Sequence, residues 1–123
     1  KSQIDQTVQE VTRTSVTAST PTVIAHLHIA SGTCVYGHMF LRAATAAGDL
    51  AFYDSIFAIK NLAGTTALIG SVVENFVGEG TGGWGNAITA DDGADTLIAT
   101  FTPDATNTTV EGFIEYTTMK ITV

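Results

Sequence analysis

The sequence predicts an all-β domain, an antiparallel β-sandwich of jelly-roll-like character with about eight strands, and three observations predict it. Hydrophobic residues make up 45% of the 123 residues and charged residues only 14%, against about 25% charged in an average globular chain. The outward positions must therefore be filled by threonine, serine, alanine and glycine, and β-branched threonine suits a pleated, half-buried surface better than a helix. Short runs of period-2 alternation recur between turn signals at roughly 10 to 14 residue spacing, as in a sandwich or barrel. No segment keeps a helical period; AATAAGDLA is too short and is broken by Gly48.

The elements follow in order. Thr7 to Thr17 alternates Val8, Glu10 and Thr12 against Val11, Arg13 and Ser15, a weak pattern that fits an edge strand or an arm. Residues 1–20 are accordingly expected as an N-terminal strand or connecting arm, and 21–123 as the sandwich. After Thr20-Pro21, VIAHLHIA puts Val23, Ala25, Leu27 and Ile29 on one face. Ser31-Gly32-Thr33 then turns the chain into CVYGHMFLRA, so that the two segments read as a hairpin. In the second of them Val35, Met39 and Leu41 oppose Tyr36, His38, Phe40 and Arg42.

Ala47-Gly48-Asp49 precedes LAFYDSIFAIK, with Phe52, Asp54, Ile56, Ala58 and Lys60 opposite Tyr53, Ser55, Phe57 and Ile59. Asn61 to Thr65 turns the chain again, and ALIGSVVENFV follows as one strand. The loop Gly78 to Gly85 reads as the most flexible stretch on glycine content. Strands near Asn86–Ala90 and Thr96–Thr102 flank DDGAD, in which Asp92-Gly93 is a strong hairpin dipeptide. Thr109 to Val123 closes the domain, with Val110, Phe113 and Ile121 as apolar markers.

Charge and length exclude several functions. A net charge of −7 with five scattered basic residues argues against nucleic-acid binding, which depends on clustered lysine and arginine. No apolar run approaches the roughly 18 residues that span a bilayer, and no signal-peptide pattern is present, so no membrane partner is expected. The chain begins at Lys1 without an initiator Met, as a processed product or a piece of a longer chain does. With a single cysteine, Cys34, no internal disulfide can form and packing alone must hold the fold.

From Leu62 onward the order of motifs is specific. NLAGTTALIGSV runs into a glycine-bearing loop and the lone Trp84, then ITADDGADTLIATFTP, then TTVEGFIEY. This order resembles a C-terminal module of bacteriophage tail-fibre and tail-spike proteins. The matching positions are Gly64, Thr65, Thr66, Leu68, Gly70, Ser71, Trp84, Asp91, Asp92, Asp95 and Leu97. TSVTASTPTVIAHLHI and FLRAATAAGDLAFYDSIFAIK are similar to its first strands and its central hairpin. The likeness thus runs from about Thr14 to Tyr116. It departs at Gly112-Phe113, where family members commonly carry Arg-Trp, and after Trp84, where Gly-Asn replaces Asp-Val. The resemblance implies a β-sandwich that is a virion component, often trimeric, at or near the part of the particle that meets the host.

The candidate chemistry gathers in HLHIASGTCVYGH, which holds all three histidines and Cys34. His26 and His28, at i and i+2, leave a strand by the same face, about 7 Å apart. Around a three-fold axis they could meet their symmetry mates on one ion, with His38 completing a site across the hairpin. Without a third ligand at diagnostic spacing they read instead as polar residues on an outer or inter-subunit face, and no metal or cofactor is expected. Cys34 as a nucleophile needs a base such as His26 or His38, and at the start of an apolar strand an inert buried thiol is the simpler reading. Asp91, Asp92 and Asp95 could hold calcium but lack the long ligand loop that calcium sites use, so they read as a turn. Trp84, Tyr36 and Tyr53 are the candidate glycan or receptor contacts, although Trp84 also fits core packing.

The expected function is a non-enzymatic bacteriophage virion structural protein, a fibre, spike or capsid-decoration component. It would act in assembly, host-surface adhesion or both, as a homotrimer whose partners are its own copies, other virion proteins and a host-surface glycan. Phe40, Phe52, Ile56 and Phe113 are expected on an outer face that a trimer could bury. The alternatives are a carbohydrate-binding module using Trp84, Tyr36 and Tyr53, and a metal-dependent protein centred on His26 and His28.

Overall fold

In the computed structural model, residues 4–79 and 83–122 are described. The strands are β1 (Ile4–Val16), β2 (Thr22–His28), β3 (Thr33–Ala44), β4 (Leu50–Leu62), β5 (Thr65–Leu68), β6 (Val73–Glu79), β7 (Gly85–Asp91), β8 (Thr96–Thr102) and β9 (Thr108–Lys120). They form an antiparallel β-sandwich. One sheet has the order β1-β9-β3-β4-β5, with β6 also on β4, and the other the order β2-β8-β7. The chain switches sheets four times, between β1 and β2, β2 and β3, β6 and β7, and β8 and β9.

Alternation decides which side chains fill the space between the sheets. Val35, Met39 and Leu41 from β3, with Tyr53, Phe57 and Ile59 from β4, point inward and are at most 3% exposed. They meet Ala25 and Leu27 of β2, Leu97, Ala99 and Phe101 of β8, and Ile29 beyond β2. Removing that much apolar surface from water is the dominant stabilising term in a chain that has no disulfide. The faces read from the sequence for β3 and β4 match this burial.

Two bulges change the phase that simple alternation gives. In β1 the register against β9 shifts between Val11 and Thr14, so Val11 and Val16, of opposite parity, are both buried. The expected grouping of Val11 with Ser15 fails for that reason. Pairing along most of its length also makes this N-terminal segment an edge strand of the sandwich rather than an arm; residues 1–3 lie outside the described residues. In β2 the shift falls between Val23 and Ala25. Val23 is left 54% exposed while Ile24 packs on the core, which corrects the expected Val23 face.

The expected hairpin between VIAHLHIA and CVYGHMFLRA does not form. Both edges of β3 are occupied, by β4 and by β9, so β2 pairs with β8 instead. The short connection between them bridges the two sheets. Gly32, at φ +76°, donates its N–H to the Asn61 carbonyl, and its own carbonyl accepts from Ile121. The buried Asn61 amide donates to the Ile29 carbonyl at 2.8 Å, satisfying a group that the crossover would otherwise strand.

ALIGSVVENFV is two strands on one edge of β4. β5 covers Ile59–Leu62 and β6 covers Leu50–Ile56, separated by a jog in which Gly70 stands at φ +68°. Ala63 and Gly64, both at positive φ, make the two-residue turn from β4 into β5, the arrangement that suits a twisted hairpin. DDGAD closes the β7–β8 hairpin as expected. Its side chains also tie the two sheets together. Asp92 accepts the Thr66 backbone N–H at 2.7 Å and Asp95 accepts the Thr66 hydroxyl at 2.9 Å.

Candidate functional site

With the inner faces filled, the outward residues of the six-stranded sheet make a continuous surface of unusual composition. Phe113 of β9 pairs directly with Phe40 of β3, and their rings stack with centroids 5.7 Å apart. Phe40 meets Phe52 of β4 at 6.0 Å, and Phe52 pairs with Val77 of β6. Ile56 and Val73 pair four residues along, and Val8 of β1 stands opposite Glu115. Several of these are open to solvent: Val77 is 72% exposed, Val8 59%, Val73 55% and Phe113 36%. The expected outward placement of Phe40, Phe52, Ile56 and Phe113 is what the register produces.

Two ionic groups flank this apolar stripe. On one side Glu111 of β9 receives Arg42 of β3 and Arg13 from the bulge of β1. On the other, His38 of β3 lies between two carboxylates. Its Nδ1 meets Asp54 Oδ1 at 3.0 Å and its Nε2 meets Glu115 Oε1 at 2.9 Å, while its ring edge contacts Phe113 at 6.0 Å. A proton on each nitrogen, the imidazolium form, lets His38 donate to both carboxylates at once. The hydrogen bond to Asp54 and then that to Glu115 raise the His38 pKa above 6.5, against a smaller lowering by burial.

A raised pKa gives the sign of a pH effect. The stabilisation from this bridge is fully present below the unfolded value of 6.5 and is lost as pH rises through the higher folded value. Because the His38 side chain is 35% exposed, solvent screens the bridge and the effect is modest. His38→Gln is therefore expected to flatten the fall in thermal stability between about pH 6 and 8. Melting curves of both proteins across that range check it, and parallel pH profiles would contradict it.

The other sequence candidates lie apart from one another. His26 and His28 are exposed on the outer face of the three-stranded sheet, on the opposite side of the sandwich from His38. They therefore share no intrachain site with it. Among the described residues no group of three or more His, Cys, Asp or Glu is placed to hold a metal ion. His38, Asp54 and Glu115 do not make one, because the carboxylates approach opposite nitrogens of the ring. Cys34 is half-buried on the outer face of β3, between Met119 and Lys60, rather than in the core. His38 is committed to its carboxylates and His26 is on the other sheet, so neither is placed as the base for Cys34.

Of the aromatic candidates, only Tyr36 stands free. It is 55% exposed on the outer face of β3, and its cross-strand neighbours are the small residues Ala58 and Thr117. Tyr53 is 2% exposed and is a core ring, so it offers no face to a glycan; burial and then the Glu74 carboxylate push its phenol up to about 12. Trp84 packs edge-on against Phe101 at 5.7 Å. Its glycine loop lies partly outside the described residues, at 80–82.

Asp91, Asp92 and Asp95 are engaged by the turn itself and by Thr66, which leaves them poorly placed to serve as a calcium loop. Sequence reading missed Asp54, Glu115, Glu111 and Arg13 as partners, because each lies far along the chain from the residue it meets. No protein-family model matches the chain, and no curated protein matches it significantly.

Proposed function

We propose that this chain is a non-enzymatic structural domain of a bacteriophage virion, a fibre, spike or capsid-decoration component that assembles as a homotrimer and contributes to host-surface adhesion. The observation that carries the reading is the stripe Phe113–Phe40–Phe52–Val77 on the outer sheet face, with Val8 and Val73 beside it, in which Phe40 and Phe52 are half-buried and Phe113, Val77, Val8 and Val73 are exposed. Soluble monomers rarely leave a contiguous apolar patch of more than a few hundred Å² open to water. Packing against further copies would remove it. The motif order around Gly64–Ser71, Trp84 and DDGAD supplies the virion part of the reading by resemblance.

Labelling purified tailed-phage particles with an antibody to the chain tests it. Signal on the tail or capsid is expected, and particles free of the protein would contradict the proposal. A second reading, a free-standing carbohydrate-binding module, is favoured by one observation, the exposed Tyr36 ring.

A further inference from the structure

We propose that the groove beside Tyr36, on the outer face of β3, binds a neutral saccharide, with the Tyr36 ring as the stacking platform and the carboxylates of Asp54 and Glu115 as hydroxyl acceptors. The inference rests on the adhesive role proposed above and names the ligand class and the residues that hold it. The groove is about 280 Å³ and is lined by Tyr36, His38, Asp54, Ile56, Glu115 and Thr117 among others. That is near the small end of ligand pockets, roughly 300–1,000 Å³, a size for a short saccharide rather than a protein segment.

Three features of the groove fit a sugar. The Tyr36 ring stands clear of the sheet because Ala58 and Thr117 on either side are small, which leaves a ring face for the C–H surface of a pyranose. Asp54 and Glu115 each spend one oxygen on His38, and among residues 7–78 and 83–122, whose side chains are described, no donor engages Asp54 Oδ2 or Glu115 Oε2. Sugar hydroxyls donating to those oxygens would form charge-assisted bonds, the stronger kind. His38 holds both carboxylates in place before any ligand arrives, so little ordering is required on binding.

The same charges select against acidic sugars. Two carboxylates with one imidazolium leave the groove net negative, and a sialic or uronic acid would bring like charge to it. Tyr36 lies toward the Cys34 end of β3, one outward position beyond His38, while Ile56 and Glu115 on the other side of the groove border the face where copies are proposed to meet.

The test is a glycan array carrying neutral and sialylated structures, probed with the full chain as native protein, Tyr36→Ala and Tyr36→Phe. Circular dichroism and light scattering are run on the same preparations. Retention of neutral glycans is expected, with Tyr36→Ala weakening binding by about tenfold or more and Tyr36→Phe staying within about twofold, since the ring face carries the contact. The site is overturned if the native chain retains no neutral glycan, if acidic glycans are preferred, or if folded Tyr36→Ala binds as the native chain does. A monomer that binds neutral glycans through Tyr36 would sustain the site while contradicting the assembly reading. A trimer that binds none would overturn the site alone.

Discussion

Gly112→Ala is expected to destabilise the chain by about 3 kcal/mol or more, the largest effect of any single added methyl group. Gly112 is paired on one side with Leu41 of β3 and on the other with Val11 of β1. A Cβ there would run into the Phe40 carbonyl oxygen and would lie 2.9 Å from the Phe40 carbonyl carbon and 3.0 Å from the Leu41 Cα. All three are backbone atoms, so no side chain can rotate away, and β9 would have to part from β3. Those two strands occupy the middle of the six-stranded sheet.

Gly64→Ala is the contrast, since nothing lies within 4 Å of a Cβ there. Only its positive φ is lost to strain, a cost of about 1 kcal/mol. Urea unfolding of both variants measures the difference, and a Gly112→Ala loss below that of Gly64→Ala would contradict the packing described.

Phe101→Ala comes second, at about 3–5 kcal/mol. Phe101 is fully buried, with Tyr53 edge-on at 6.0 Å and Trp84 at 5.7 Å. Its ring is the piece of the three-stranded sheet around which Tyr53 of β4 and Trp84, just before β7, are set, and truncation leaves a cavity that rigid strands cannot close. Against a whole stability of about 5–15 kcal/mol, the loss is expected to lower the melting temperature by roughly 10–20 °C. Trp84 is the single tryptophan, so its fluorescence reports the change directly. An unchanged emission maximum with a shift of only a few degrees would mean that Phe101 does not centre the cluster.

What the sequence made legible was the set of faces, and what it hid was pairing. In β3 and β4 unbroken alternation of residues such as Met39 and His38, or Phe57 and Asp54, identified inside and outside directly. Alternation has a period of two and carries no information about which strand lies alongside. The short Ser31-Gly32-Thr33 link therefore looked like a hairpin, although β9, arriving from about 80 residues later, takes the edge of β3 that β2 would have used. The bulges at Thr12-Arg13 and Ile24 carry no composition signal, and they reversed the placing of Ser15 and Val23.

The candidate site divides in the same way. Tyr36 was legible as an outward aromatic, whereas Tyr53 was grouped with it only on residue type; its place opposite Phe52 and Asp54 in β4 already put it on the inner face. The His38 bridge could not have been read, because it joins residues 16 and 77 positions apart. It exists only once β4 and β9 flank β3 in this register.

The measurement that bears most directly on the account is the mass of the chain in solution, by size-exclusion chromatography with light scattering at micromolar concentration. The native protein is expected at three times the 12.8 kDa chain mass, and Phe113→Asp, which places a charge in the middle of the exposed stripe, at the mass of one chain with its circular dichroism unchanged. A native protein that runs as a clean monomer, or a Phe113→Asp variant that assembles as the native chain does, would contradict the claim that this sheet face is where copies meet.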